Sequence, residues 1–316
     1  MVYRDPPDHT RMRRLVGKLF ARTVLDRARP RIEALAKELV DRIASRERFD
    51  LVSALARPLP VRVIAELMGA RPEDGMLVEA WSDDIARLML GEIADPARHD
   101  RANTALGAMA RYFRDIVVDR RRTPRQDLTS ALLAAAADDS AITEDEIVAT
   151  CALMVFAGHE TTTNLIANAT LALIDHPDAL EAAGTRLGPE AIDELLRFDG
   201  PMKALSRVAR EDVHIGDTLV KGGDRVLCVL ATANRDPDRF ADPDRLDLAR
   251  GDSGHLAFGS GPHLCIGAAL AKLEAQIVIS TLLARFERME LAVPRHMLEW
   301  RPALLARALE ALPLER

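Results

Sequence analysis

Apolar residues recur three and four positions apart, separated by Arg, Lys and Asp, over residues 8–20 and again over 25–44, the periodicity of helices with one buried face. The same spacing runs through 51–68, 73–90 and 97–122. Residues 120–127, rich in arginine with threonine and proline, read as a solvated connection. A clear helix start follows. Thr143 and Glu146 stand as a capping box, and Ile142 and Ile147 flank them as a hydrophobic staple. No proline or strong turn signal intervenes before Pro177, so the pattern predicts one helix from about 143 to 176, about 50 Å long at ~1.5 Å per residue.

Over 208–229 the pattern shortens to β-branched runs around glycine turns, which predicts small antiparallel hairpins. Residues 233–267 are dense in Asp, Pro, Arg and Gly. That is long for a structureless connection, and long ordered loops tend to carry function. A last helix is predicted over 268–286. There is no internal repeat and no low-complexity tract.

Composition narrows the class. The 316 residues are 48% hydrophobic and 29% charged, enough apolar side chain for a substantial core. The net charge of −6 lacks the basic excess that neutralises phosphates, which argues against a nucleic-acid binder. No stretch reaches the length of a membrane span and no signal-peptide core opens the chain, so a cytoplasmic protein without membrane attachment is expected. The three cysteines, Cys151, Cys228 and Cys265, are too far apart for a zinc knuckle or a disulfide framework.

Cys265 stands out by its context. A lone cysteine is ordinarily a packing residue. Residues 258–267, from Phe258 through Gly259, Gly261, His263 and Cys265 to Gly267, run directly into a helix. The glycines let backbone approach a flat ligand and aim N–H groups at a sulphur, and the helix N-terminus favours a thiolate. This segment resembles the cysteine-ligand loop of the cytochrome P-450 superfamily at each motif position. The resemblance implies that Cys265 is the axial ligand of a haem iron, with Phe258, Gly259, His263 and Gly267 around the cofactor.

In the middle of the long helix an apolar run is interrupted by Ala157, Gly158, His159, Glu160 and Thr161. An acid beside hydroxyls inside a core helix must be satisfied or used. Either the helix turns an edge to solvent and the threonines bond back to the i−4 carbonyl, or the group does chemistry. The segment is similar to the family's oxygen-activation helix. That similarity implies Glu160 and Thr161 as the proton-delivery pair, Gly158 as the residue that opens room for dioxygen, and Ala157 near the haem face. His159 is expected to pack or lie at the surface.

Glu194 and Arg197, at i and i+3, could be surface decoration. In this order along the chain they resemble the family's Glu-x-x-Arg core pair. Arg245 is expected as the third member of that network, with Arg250 as the alternative. His9 and Arg13 lie one helical turn apart and can reach one anion, or they belong to a basic surface helix. The resemblance implies that both bind a haem propionate together with His263 and Arg207. Arg11, Arg14 and Lys18 suggest a docking patch for an acidic electron-transfer protein.

The resemblance implies a mainly α cytochrome P-450 fold: a helical bundle around haem b with small β-sheets, and one domain over residues 1–316. It implies a monooxygenase that inserts one oxygen atom of O2 into a small hydrophobic organic substrate, with electrons from NAD(P)H through a reductase and a ferredoxin. Family members carry further helices and strands before the helix that holds His9. An N-terminally truncated chain is therefore expected, and a haem-binding protein or an inactive remnant is the alternative to the enzyme. Zinc or simple thiol chemistry at Cys265 has no second ligand cluster behind it.

Overall fold

Helix α1 (Asp8–Gly17) buries His9, Met12, Leu15 and Val16, one face of two successive turns, and a short 3-10 turn carries the chain into α2 (Arg22–Ile43). The computed structural model describes residues 1–91, 95–137, 142–184 and 187–316. The apolar pattern over 51–68 does not make one helix. Strand β1 (Arg48–Asp50) precedes it, a π-helical turn occupies Val52–Ala56, and α3 (Pro58–Leu67) begins anew at Pro58, which fits a first helical turn and not an interior. α4 (Gly75–Met89) and α5 (Arg98–Arg122) follow as a pair in extensive contact. α6 (Leu128–Ala137) was not expected. Its alanine-rich sequence lacks a strong polar stripe, so periodicity gives it no signature.

α7 (Glu144–Asp175) matches the expected span. Its capping box is formed: Thr143 Oγ1 accepts from the Glu146 N–H at 3.2 Å, and Glu146 Oε2 accepts from the Thr143 N–H at 3.0 Å. α3, α4, α5, α9 (Pro189–Asp199) and α11 (Ala268–Arg285) pack on α7, which therefore runs through the core with few residues left for solvent. The short α8 (Pro177–Ala183) begins at the proline that stops α7.

Strand character begins four residues earlier than expected. β2 (Ala204–Val208) pairs antiparallel with β5 (Arg225–Val229), and between them β3 (Val213–Ile215) and β4 (Thr218–Val220) form a hairpin about Gly216. The one-turn α10 (Leu230–Ala233) then opens the long loop. The third sheet joins distant parts of the chain. β7 (Pro313–Glu315) lies between β1 and β6 (Glu290–Leu291), antiparallel to both, and Asp50 Oδ1 accepts the Leu312 N–H at 2.7 Å.

One hydrophobic cluster extends from Leu15 to Leu314 and draws on almost every helix. A smaller one, Ala86, Leu90, Ala303 and Ala306, fastens residues 299–310 against the end of α4. There the N–H groups of Leu304 and Leu305 bond to the carbonyls of Gly91 and Leu90.

Candidate active site

The loop from residue 255 to 267 is shaped by its own backbone. The Cys265 N–H bonds back to the Phe258 carbonyl at 2.9 Å, and the Leu264 N–H bonds to that of Gly261 at 3.0 Å. Gly259 and Gly261 both take φ of 72°, the left-handed region that a side chain resists. The turn so formed delivers Cys265 to the start of α11, where the Gly267 N–H points at its sulphur. One side of Cys265 is open. The surrounding protein still desolvates the thiol and raises its pKa, against the pull of the Gly267 N–H and Arg13.

Cations gather beside this loop. His9, 2% exposed, sits against His263 with ring centroids 4.1 Å apart, and the Arg13 guanidinium donates to the Leu264 carbonyl. Burial lowers the pKa of both imidazoles, and Arg13 for His9, and His9 and Arg207 for His263, lower it further. His9 Nε2 is buried without a hydrogen-bond partner. Two guanidinium groups, Arg13 and Arg207, beside two imidazoles and an orphaned buried ring nitrogen fit an anionic group, and two carboxylates on a macrocycle are of that kind. Arg207 projects from β2 as an exposed side chain and donates to the Ser206 carbonyl at 3.0 Å. Beside it, Leu205 lies 3.4 Å from where a Cβ on Gly259 would stand, so strand and loop are in contact.

Glu194 and Arg197 hold the long loop behind the cysteine. Both are about 1% exposed and form a two-pronged pair at 2.7 and 2.8 Å. Arg197 also donates to the carbonyls of Asn234, Pro243 and Arg245. The third charged member is Arg250, whose Nε lies 3.1 Å from Glu194 Oε2. Arg245 is corrected here: it contributes its backbone carbonyl, while its side chain is exposed. Both arginines fit the sequence pattern, and it is Arg250 that reaches Glu194 in the folded chain. A second anchor went unnoticed in the sequence. Asp193 takes His255 Nε2 at 3.1 Å and also pairs with Lys272 of α11, and Asn234 Oδ1 accepts the Leu256 N–H at 2.7 Å. The only signal available was that Asp193 precedes Glu194 on the same buried helix.

On α7, Ala157 is exposed and Thr161 half-buried, although the helix on either side of them is core. Thr161 Oγ1 donates to the Ala157 carbonyl at 3.1 Å, the i−4 back-bond that the sequence left open. Gly158 is corrected: a Cβ there would stand 3.0 Å from Ile64 Cγ1, so the missing side chain admits α3 and does not open a space. His159 is fully buried, with Nδ1 3.1 Å from Ser82 Oγ, and burial lowers its pKa to about 3. Glu160, 1% exposed, pairs with Arg301 at 2.8 Å. Burial raises its pKa while Arg301 opposes the rise. Arg301 lies 141 residues away, and no local pattern announces the contact.

The basic patch is smaller than the sequence suggested. Arg11 is engaged with Glu146 through both guanidinium nitrogens, while Arg14 and Lys18 are exposed. Among the described residues no cluster of His, Cys, Asp and Glu could hold a bare metal ion.

Comparison with known proteins agrees with this geometry. The sequence profile described as Cytochrome P450 matches residues 83–184 and 187–308. The chain is 42% identical to Cytochrome P450 107B1 of Saccharopolyspora erythraea over 99% of its own length and 76% of that protein's. It is 41% identical to the Cytochrome P450 monooxygenase PikC of Streptomyces venezuelae, over 99% and 75%. The solved structure of P450BioI, with an acyl carrier protein ligated to hexadec-9Z-enoic acid, superposes with a TM-score of 0.91 at 35% identity, covering 100% of this chain and 81% of that one.

Proposed function

The chain belongs to the cytochrome P450 family and is a haem-thiolate monooxygenase, and from that premise we propose that Cys265 is the thiolate and that His9 and Arg13 of α1 and the cysteine loop hold the cofactor. The observation that carries this reading is the orphaned Nε2 of His9, whose ring lies tilted against that of His263 in the loop that presents the sulphur. His9, Arg13, His263 and Arg207 would bind the propionates, which is the demand of iron protoporphyrin IX, haem b. The Gly267 N–H would donate to the sulphur and so moderate its charge.

The chemistry that haem supplies when bound through a thiolate is activation of O2, with electron density from sulphur favouring O–O cleavage. Thr161 and Glu160 would manage the protons this needs: the hydroxyl, once free of the Ala157 carbonyl, would hold a proton at Oγ1, and Glu160 would resupply it from the interior side of α7. The Glu194, Arg197 and Arg250 network keeps the loop rigid behind the cysteine. The core that spans the chain lets residues 1–316 work as one domain.

The substrate is a small hydrophobic organic molecule, and one oxygen atom enters a C–H bond or double bond. Names among the relatives, including a vitamin D(3) 25-hydroxylase and a 6-deoxyerythronolide B hydroxylase, lie within that class. Electrons come from NAD(P)H through a reductase and a ferredoxin that docks near Arg14 and Lys18, in the cytoplasm. No described helix is long and apolar enough to cross a membrane. The reading is tested by the reduced carbon-monoxide spectrum, which should show the thiolate-type Soret shift and lose it in Cys265→His. A wild-type spectrum without the shift refutes it. Thr161→Ala should release more hydrogen peroxide per product formed, and the double charge reversal Arg14→Glu with Lys18→Glu should slow reduction by ferredoxin.

A further inference from the structure

Where α4 and residues 299–310 cover the middle of α7, charged side chains meet in the interior, away from the cysteine loop. Arg301 stands at the centre. Its Nη1 is 2.8 Å from Glu160 Oε1 and 3.3 Å from Asp83 Oδ1, and its Nε is 3.4 Å from Glu310 Oε2. Arg301 is 7% exposed and the Glu310 side chain 39%, so this guanidinium links an interior carboxylate to one that touches water. Asp83 is held in turn by Arg87 at 3.0 Å, with Arg57 3.9 Å away. Glu160 Oε2 and His159 Nε2 are buried with no partner.

Two physical points follow. A buried carboxylate is kept ionised only by a close and well-oriented cation, and removing that cation leaves a strongly disfavoured charge. Glu160 and Thr161 are consecutive on a helix, so their side chains leave it about 100° apart. Thr161 is half-buried beside the exposed Ala157, whereas Glu160 faces α4 and the C-terminal segment. A proton carried by Glu160 must therefore use the oxygen that Arg301 does not occupy.

We propose that Arg301 is a positioning residue for proton delivery: by gripping Oε1 of Glu160 it fixes the carboxylate's rotamer, keeps it ionised at rest, and leaves Oε2 as the one oxygen that takes up and releases a proton. Asp83 and Glu310 share the same guanidinium and set how firmly it holds. The inference rests on the reading of Glu160 as the proton-delivery acid. It makes the segment after α11, which no local motif marks, part of the reaction apparatus.

The charged groups facing Glu160 are Arg301 and Glu310 from the C-terminal segment, Glu79, Asp83 and Arg87 from α4, and Arg57 ahead of α3. His159 beside it on α7 is neutral. Burial pushes the carboxyl up and Arg301 is the largest opposing influence. Removing Arg301 should raise the pH at which Glu160 protonates, and Glu310→Gln should lower it by leaving more of the guanidinium's charge for Glu160.

The experiment follows the Glu160 carboxyl band by infrared difference spectroscopy of the ferric holoenzyme across pH, assigned by subtraction of Glu160→Gln. Solvent isotope effects on coupled product formation are measured in parallel. Arg301→Gln should shift the Glu160 midpoint upward, enlarge the isotope effect and lower coupled turnover by up to about 100-fold, the scale of a misplaced catalytic group. Arg301→Lys should recover part of each. An unmoved midpoint and isotope effect in folded Arg301→Gln overturn the proposal. If Arg301→Gln does not fold, Glu310→Gln decides: a downward midpoint supports the proposal and an unchanged one overturns it. Full coupling in Glu160→Gln would instead remove the proton-delivery reading itself, whatever the midpoint of the Arg301 variants.

Discussion

Arg197→Met should be among the most damaging single substitutions in the chain. The guanidinium is fully enclosed, donates twice to Glu194 and caps three loop carbonyls, of Asn234, Pro243 and Arg245. Breaking a buried ion pair from one side costs about 3–5 kcal/mol, because the surviving charge stays in the interior. Each carbonyl left bare adds about 1–3 kcal/mol unless water enters. Arg250 still reaches Glu194 and offsets part of the loss. A net destabilisation of at least about 4 kcal/mol is expected, a large share of a typical total of about 5–15 kcal/mol. With a urea m-value near 3 kcal/mol/M, the midpoint followed by far-ultraviolet circular dichroism should fall by more than about 1 M. Glu194→Leu combined with Arg197→Met should be less damaged than Arg197→Met alone, since no unpaired carboxylate remains. Arg250→Ala should cost about 1.5–3 kcal/mol, the worth of a hydrogen bond to a charge, while Arg245→Ala should stay within about 0.5 kcal/mol of wild type. A midpoint for Arg197→Met within about 0.3 M of wild type would refute the reasoning.

Gly158→Val should destabilise by about 1–3 kcal/mol through overpacking against Ile64, and Ile64→Ala in the same chain should relieve it; an additive loss in the thermal melts would show that the two helices do not meet there. His159, held at about pH 3 in the folded state, binds fewer protons there than when unfolded. Stability should therefore fall as pH drops from about 6.5 toward 3, by at most about 1.4 kcal/mol per unit, and His159→Phe should flatten that slope in urea titrations. Glu274 is the converse case. It is 1% exposed, neither oxygen has a partner, and burial raises its pKa well above the ordinary carboxylate range. Its contribution is present at low pH and lost as pH rises above about 4.5, so Glu274→Gln should raise the melting temperature at pH 7 and leave it unchanged at pH 4.

Local signals carried much of this fold. The Thr143 and Glu146 cap placed the start of α7, and Pro177 placed its end, because each acts within a few residues. The apolar pattern over 51–68 was misleading for a definite reason: alternating helical stripes do not reveal that Pro58 restarts the helix after a π turn. In the site, the glycines and Cys265 form one contiguous segment, so the loop was legible. The partner of Glu160 was not, since a contact across 141 residues depends on how residues 299–310 are folded back, and the choice of Arg250 over Arg245 depends on tertiary packing against Glu194.

β7, the middle strand of its sheet, is made after every helix it helps to close over, and the same terminal stretch brings Arg301 into the interior. A nascent chain can assemble α1 to α11 and still lack both the strand that joins β1 to β6 and the cation that neutralises Glu160. Until those residues emerge from the ribosome, the central helix holds an acid without a counter-ion, and pairing across more than 260 residues must wait. Closure of that sheet and neutralisation of Glu160 therefore come after α1 to α11 in the order of synthesis.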